Sequence, residues 1–378
     1  MRRERLVLPL LLAAVFVAAL YWYSRQQPHL EQLHGATMGT SWSVKYVSVP
    51  YGVSRPVVVK AVKAALEDVN QAMSTWRPDS ELMQLNRAPV GEVVQVSQPL
   101  FDLVAQASAL SRLSAGAYDV TAGALVNLWG FGSERPQGRE EGPAAPGAVS
   151  ARRPESLSSS HLAAWLAQAG QKQAPAPEQI AEALRQVGYQ TLRLDETHRT
   201  ITKTRAVFID LSSIAKGYGV DRVAAALQEQ GLENYMVEVG GEVFLRGDRP
   251  DGEPWRIAVR QPVVENRVQL IVAPGDRAIA TSGDYLNYYE LQDVHFSHLI
   301  DARTGYPEQH RLASVTVVAD TAAEADGWAT LLMIVGEQAG RELAEQHGLD
   351  AFFIYHKESG FAVLSTGRFD SWRLDGGS

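Results

Sequence analysis

Apolar side chains recur with two different periods along this chain, and the order of those periods most limits the folds it can adopt. Residues 42–49 alternate apolar and polar side chains as a strand does, whereas residues 57–73 repeat apolar side chains at helical spacing. Strand patterns then dominate from about residue 235 to 318, and helical patterns return after residue 322. Because helices and strands follow no steady βαβ rhythm, we predict an α+β fold and not a doubly wound sheet.

Composition narrows the class of protein further. The chain has 378 residues, 46% of them hydrophobic, which is enough to bury a large core in one domain or two lobes. Its net charge of −8 disfavours nucleic-acid binding, since phosphate backbones select basic surfaces. The sequence contains no cysteine, which excludes disulfides, thiolate nucleophiles and zinc–thiolate sites.

The N-terminus carries a membrane signal. Three arginines within the first five residues precede an apolar run at residues 6–23, which would span about 27 Å as a helix. The aromatic residues 21–23 suit the far membrane interface. We predict that residues 1–25 form a transmembrane helix that leaves the remaining chain outside the cytoplasm. A cleaved signal peptide is the alternative, although bulky aromatics occupy the place where it needs small residues.

A second unusual segment lies at residues 133–177. It is rich in Pro, Gly, Ala, Ser and Gln and has few large apolar residues outside positions 162–166. Such a composition predicts a flexible surface insertion with at most one short helix. We therefore expect one globular domain at residues 30–370, interrupted by this insertion.

Polar, glycine-rich stretches mark candidate chemistry. They occur at residues 37–40, 117–121, 127–132, 209–221, 238–242, 280–285 and 298–307. In the stretch at 209–221, a strand end leads into a helix start with Lys216 in the first turn, which suits an anion. The stretch at 298–307 places His298, Asp301 and Arg303 on one turn, as a phosphoryl site would. A capped helix and a hydrogen-bonded turn explain these two stretches equally well.

Asp326 and Thr330 form the last candidate. They are four residues apart, so on a helix their oxygens face one side, and hard oxygen donors of this kind suit Mg²⁺. The alternative is a helix-start aspartate beside an ordinary threonine. Glycine-rich dinucleotide and P-loop motifs are absent, as are the zinc-protease helix motif and the nucleophile elbow.

Taken in order from residue 35 to about 353, these stretches resemble the ApbE family, the FAD:protein FMN transferases. The resemblance implies a two-lobed α+β fold with FAD in the cleft. It also implies that FMN is moved from FAD to a Thr or Ser hydroxyl of a target protein through a phosphoester bond, with release of AMP and dependence on Mg²⁺. This chain lacks the lipoprotein cysteine of many members, and its insertion is longer than expected.

The resemblance also assigns residues to roles. The metal would be held by Asp326, Thr330 and the main-chain carbonyl of Ser213. The residues assigned to FAD are Met38 and Trp76, which would pack on its rings, and Ala117, Tyr118, Asp119, Asp210 and Lys216, which would hold the nucleotide. His298 is the expected base, with Asp301 or Asp326 as alternatives and Arg303 on the same loop.

The expected partners follow from the same resemblance. The acceptor would be a membrane electron-transfer subunit, and the catalytic domain would face the periplasm or cell exterior from the inner membrane. Two other activities stay open at this point. The protein could split FAD into FMN and AMP with water as acceptor, or it could bind flavin without catalysis.

Overall fold

The computed structural model describes residues 28–48, 52–134, 174–262, 267–285, 288–291 and 294–374. The predicted membrane segment at residues 1–25 lies outside these residues, as does nearly all of the predicted insertion with its short helix. Within the described ranges, no helix is both long and apolar enough to cross a membrane.

An eight-stranded antiparallel sheet forms the centre of the molecule, in the order β1-β2-β6-β7-β10-β15-β16-β17. Its strands are β1 (His29–Thr37), β2 (Thr40–Ser48), β6 (Tyr235–Val239), β7 (Glu242–Arg246), β10 (Ala278–Gly283), β15 (Leu312–Ala319), β16 (Asp350–His356) and β17 (Phe361–Ser365). The predicted α+β class is confirmed, because the helices cover this sheet and do not alternate regularly with its strands.

Four smaller sheets contain the other strands of the described residues. They contain β3 (Val93–Gln95), β4 (Leu192–Asp195) and β5 (Thr200–Lys203); β8 (Ile257–Arg260) and β9 (Val268–Val272); β11 (Tyr288–Leu291) and β12 (Val294–Ser297); and β13 (Ile300–Asp301) and β14 (Tyr306–Pro307). The described α-helices are α1 (Arg55–Met73), α2 (Glu81–Arg87), α3 (Gln98–Leu113), α4 (Gly123–Leu128), α5 (Pro177–Leu184), α6 (Ala215–Glu229), α7 (Ala322–Val335) and α8 (Glu337–Gln346).

The helix predicted at residues 57–73 is confirmed, because its apolar residues keep helical spacing over several turns. Helix α1 buries Val58, Val62, Leu66 and Val69 on one face, as the helical spacing predicts. Helix α7 is different, since it is buried on nearly every side. It packs under the sheet as a core helix, so Asp326 is only 1% exposed although it lies within the first two turns.

Two apolar cores cover the two faces of the sheet. The larger core joins one face to helices α1, α3, α6 and α7. The smaller core lies on the opposite face under the β8–β9 hairpin and the C-terminal turn at Phe369–Trp372. Strand β15 is buried along almost its whole length because both faces are covered, which explains its nearly continuous apolar sequence.

One predicted strand does not form. The strand end predicted at the start of the stretch 209–221 forms no ladder over residues 207–210, where Phe208 makes an isolated bridge to Ala122. The side chain of Asn86 takes the place of a neighbouring strand, because it bonds both the N–H and the carbonyl of Ile209 at 2.8 and 2.9 Å.

Helices α6 and α7 meet at their N-terminal ends, and each supplies a carboxylate to the first turn of the other. Asp326 of α7 accepts a hydrogen bond from the N–H of Gly217 in α6 at 3.0 Å. Asp221 of α6 accepts from the N–H groups of Ala322 and Ala323 in α7 at 2.7 and 2.9 Å. Both contacts satisfy donors that have no partner inside their own helix.

Close approach of these two helices requires a glycine. A Cβ atom at Gly217 would lie 2.2 Å from the carbonyl oxygen of Ala322. Any side chain there would push α6 away from α7 and break the bond between Gly217 and Asp326. The position of Asp326 is therefore fixed by backbone contacts and not only by its own rotamer.

The Asp221→Ala variant should lower the free energy of unfolding by about 1–3 kcal/mol, because two buried N–H groups of α7 lose their acceptor. Urea unfolding followed by circular dichroism measures this loss. Asp102→Ala, at an exposed position on α3, is the matched control and should change stability by less than about 0.5 kcal/mol. Equal stability of the Asp221 variant and the wild type would contradict this role.

The pH dependence of stability supplies a second test of Asp221. Burial raises its pKa from 3.8 to about 6, against the opposing effect of the two N–H donors. A raised carboxyl pKa stabilises the folded state at low pH, and this contribution is lost as pH rises through about 6. Asp221→Asn cannot titrate, so wild type should lose stability relative to it between pH 4 and 7. A constant difference in urea midpoints across that range would contradict the assignment.

Candidate active site

A cavity of about 620 Å³ opens between the β1–β2 turn, the end of α1, the start of α6, β10 and α7. Its size lies within the range typical of small-molecule sites. The predicted site residues that line it are Met38, Trp76, Tyr118, Asp119, Asp210, Ser213, Lys216, His298 and Thr330. Asp326 lies beside them and contacts Lys216. Most of the residues proposed from sequence are therefore brought together.

A buried charge cluster forms one wall. The Lys216 ammonium lies 2.7 Å from Oε1 of Glu242 and 3.5 Å from Oδ1 of Asp326. Burial alone would lower the pKa of Lys216, but the two carboxylates outweigh it and raise that pKa above its usual value. Burial raises the pKa of both carboxyl groups, against the opposing charge of Lys216. Lys216 therefore stays protonated, with the two acids as its partners.

Oxygen donors suited to a hard cation lie next to this cluster. The Thr330 hydroxyl is 3.4 Å from the carbonyl oxygen of Ser213 and 3.1 Å from the Ser282 hydroxyl. Among the described residues, no group of three or more His, Asp or Glu side chains is placed to share a metal. A cation here would depend on one carboxylate, a carbonyl and a hydroxyl, which is a donor set that fits Mg²⁺.

Tyr118 fixes the Ser213 segment from below. Its hydroxyl is 2.7 Å from the Ser213 hydroxyl, and burial raises the pKa of Tyr118, which therefore stays protonated. The neighbouring Ala117 is fully buried and does not line the cavity. Its carbonyl accepts a hydrogen bond from the N–H of Ala302 at 3.0 Å, so Ala117 supports the loop at 298–307.

The two aspartates predicted to hold the nucleotide differ in their surroundings. Asp119 binds the N–H and hydroxyl of Thr121 with one oxygen and the N–H of Tyr189 with the other. These bonds give Asp119 a clear structural role at the cavity edge. Asp210 accepts from the N–H of Ser212 at 2.7 Å, and burial raises its pKa despite that bond.

The three residues predicted as catalytic on the loop at 298–307 do not lie together. His298 lines the cavity, with its ring 6.2 Å from the ring of Phe131. Asp301 and Arg303 do not line it; they pair with each other at 2.6 Å, and the Arg303 side chain is 50% exposed. Trp129 holds the base of this loop through a bond to the carbonyl of Gly305 at 2.8 Å.

Met38 occupies a strained backbone position at the cavity. The two-residue turn Met38–Gly39 joins β1 to β2, and both residues have positive φ, 48° and 70°. Such turns favour Asn-Gly, because a side chain like that of methionine is disfavoured at positive φ. Here the strain places Met38 against Gly219 and in the cavity wall. Trp76, 61% exposed, also contributes to that wall.

Sequence reasoning assigned no role to several lining residues. They are Asn70, Glu242, Thr281 and Ser282. Asn70 carried a signal, since it follows Leu66 by four residues and so interrupts the apolar face of α1. Its amide donates to the Thr37 hydroxyl at 2.9 Å. Glu242 lies in the glycine-rich stretch at 238–242, but its contact with Lys216 arises from the packing of β7 against α6 and is not specified by that stretch.

Apolar side chains, a half-buried lysine and hard oxygen donors thus meet in one cavity. A sequence profile described as the ApbE family matches residues 38–353. The chain therefore belongs to the ApbE family, and the resemblance seen in its motifs is confirmed.

Named relatives extend over nearly the whole chain. The FAD:protein FMN transferase of Vibrio cholerae is 39% identical over 359 residues, covering 94% of this chain and 97% of that protein. The FAD:protein FMN transferase of Haemophilus influenzae is 37% identical and covers 94% of this chain and 95% of that protein.

Solved structures agree with this family and fold. The flavin transferase ApbE from Vibrio cholerae has a TM-score of 0.76 at 38% identity and covers 91% of this chain and 99% of that chain. The apo form of the Pseudomonas stutzeri flavinyl transferase ApbE has a TM-score of 0.76 at 35% identity, covering 93% and 98%.

The Met38→Asn variant should separate strain from binding. Asparagine relieves the positive-φ strain at the turn by about 1 kcal/mol, so the free energy of unfolding should not fall. Loss of the thioether should raise the FAD dissociation constant roughly tenfold, the worth of a partly buried apolar side chain. Flavin fluorescence titration and urea unfolding measure the two effects. Met38→Leu keeps an apolar contact and is the control; unchanged FAD affinity in Met38→Asn would remove Met38 from the binding site.

Proposed function

We propose that this protein transfers the FMN moiety of FAD to a Thr or Ser hydroxyl of an acceptor protein and releases AMP. The observation that carries the proposal is the cavity in which Lys216, Thr330 and the Ser213 carbonyl converge beside Asp326. The shared name of the relatives supports the same activity. The transferase predicted from the sequence is confirmed by that agreement.

Mg²⁺ is the proposed cofactor, held by Asp326, Thr330 and the Ser213 carbonyl. The buried Asp326 carboxyl group beside the Ser213 carbonyl and the Thr330 hydroxyl supports a cation there. Bound Mg²⁺ would supply positive charge against the pyrophosphate oxygens. Lys216 adds a second, permanent positive charge at the same wall, and Tyr118 holds the Ser213 segment in place.

His298 is the proposed general base. It is half-buried at the cavity wall, where an acceptor hydroxyl can approach the bound nucleotide. The imidazole takes the hydroxyl proton as the oxygen forms a bond to the phosphorus that carries the riboflavin group. The bond from that phosphorus to the bridging oxygen breaks, and AMP leaves with that oxygen. Asp301 is the weaker alternative, because it is paired with Arg303 outside the lining.

Hydrolysis and simple flavin binding are less well supported. A binding protein has no need for metal donors, yet Asp326 and Thr330 are both present and buried. Water as acceptor would use the same residues, and nothing in the cavity favours it over a hydroxyl side chain. The transferase is therefore the function that the site supports best.

The setting of the reaction is also proposed. Residues 6–23, outside the described part of the chain, would anchor the protein in the inner membrane with its catalytic domain in the periplasm or outside the cell. The arginine-flanked apolar run supports this orientation. A membrane electron-transfer subunit is the proposed acceptor.

The Asp326→Asn variant should lower the FMN transfer rate by about 10²–10³, because a charge that stabilises the transition state is lost. Its FAD affinity should change little, since the ring contacts lie elsewhere in the cavity. Thr330→Ala should act in the same direction but less strongly. Intact-mass measurement of an acceptor incubated with FAD across a Mg²⁺ titration gives the rates.

Glu324→Gln is the matched control for this experiment. Glu324 lies two residues before Asp326 on α7 and outside the cavity lining, so its variant should transfer FMN at the wild-type rate. Near-normal transfer by Asp326→Asn at low Mg²⁺ would overturn the assignment of Asp326 as the metal ligand.

A further inference from the structure

The cavity wall contains a second buried carboxylate that the proposed chemistry does not use. Glu242, the first residue of β7, is 2% exposed and accepts a hydrogen bond from Lys216 through Oε1. Within the described part of the chain, no donor reaches its other oxygen, Oε2. A buried carboxylate with one oxygen unbonded is costly, so its retention calls for a reason.

Lys216 lies between this carboxylate and the proposed metal ligand. Its ammonium is 2.7 Å from Glu242 but 3.5 Å from Asp326. An ammonium group and a divalent cation are attracted to the same carboxylate oxygen, and each disfavours the other there. The contact between Lys216 and Glu242 therefore limits how strongly the ammonium competes with a metal ion for the Asp326 carboxylate.

The aliphatic part of the Lys216 side chain has little room to move towards other partners. The turn between β6 and β7 contains Gly240, which has positive φ. A Cβ atom there would lie 3.1 Å from Cδ of Lys216 and 2.8 Å from Cγ2 of Thr40. The turn backbone thus lies against the lysine stem, and Glu242 follows it directly on the same hairpin.

We propose that Glu242 is a positioning residue, which holds the Lys216 ammonium away from Asp326 and so keeps the Asp326 carboxylate available to a divalent cation. This inference rests on the proposed function, because it takes Asp326 as a metal ligand. Glu242 acts through Lys216 and need not touch the nucleotide. Its effect should therefore disappear when the lysine charge is removed.

Calorimetric titration of the full-length protein with MgCl₂, without FAD, tests the proposal by binding alone. Glu242→Gln should weaken Mg²⁺ binding about tenfold or more, since the ammonium moves towards Asp326. In the double variant Glu242→Gln with Lys216→Met, Mg²⁺ affinity should return to within about threefold of wild type, because no ammonium competes. A purely structural defect would not be rescued by removing the lysine.

Glu238→Gln is the control on the neighbouring strand. Its carboxylate bonds the Ser43 hydroxyl and the N–H of Gly241, away from Lys216, so Mg²⁺ affinity should match wild type. Wild-type affinity in Glu242→Gln, or equal weakening with and without Lys216, would overturn the proposal. Mg²⁺ binding that survives Asp326→Asn would instead overturn the metal site itself, and the inference with it. Thermal melts of each variant identify any that are unfolded.

Discussion

Helices α6 and α7 each supply a carboxylate to the first N–H groups of the other, and the rest of the site depends on this contact. Asp326 binds the start of α6, Asp221 binds the start of α7, and Gly217 lets the two backbones meet. Burying two acids costs free energy, which N–H donors only partly offset. The gain is a fixed geometry, since neither helix can slide without leaving N–H groups and a carboxylate unpaired.

That geometry explains how charged groups are held next to a mostly apolar core. The α6 start supplies Lys216 and, just before it, the Ser213 carbonyl, while α7 supplies Thr330 one turn beyond Asp326. The sheet adds Glu242 from β7 and Ser282 from β10. Positive and negative groups are thus carried by two helices held in register, and His298 reaches the cavity from a separate loop.

Local patterns in the sequence predicted much of this arrangement, and long-range packing accounts for what they missed. The Asp326–Thr330 spacing and the apolar period of α1 are properties of single helices, so they could be read directly. Residues 207–210 do not form a strand; the backbone of Ile209 is instead bonded by the side chain of Asn86, 123 positions earlier. Arg303 likewise lies outside the cavity lining and is paired with Asp301. No spacing rule specifies that pairing.

The strand order has a consequence for how the chain is made. Ser43 and Glu238 are near neighbours across β2 and β6, yet 195 residues separate them in the sequence. At ribosomal rates of about 5–20 residues per second, β2 emerges roughly 10–40 seconds before its inner neighbour exists. During that interval the β1–β2 hairpin presents an open edge that other nascent chains can pair with. The topology that encloses the cavity therefore leaves this edge of β2 without its partner until residues 235–239 have been synthesised.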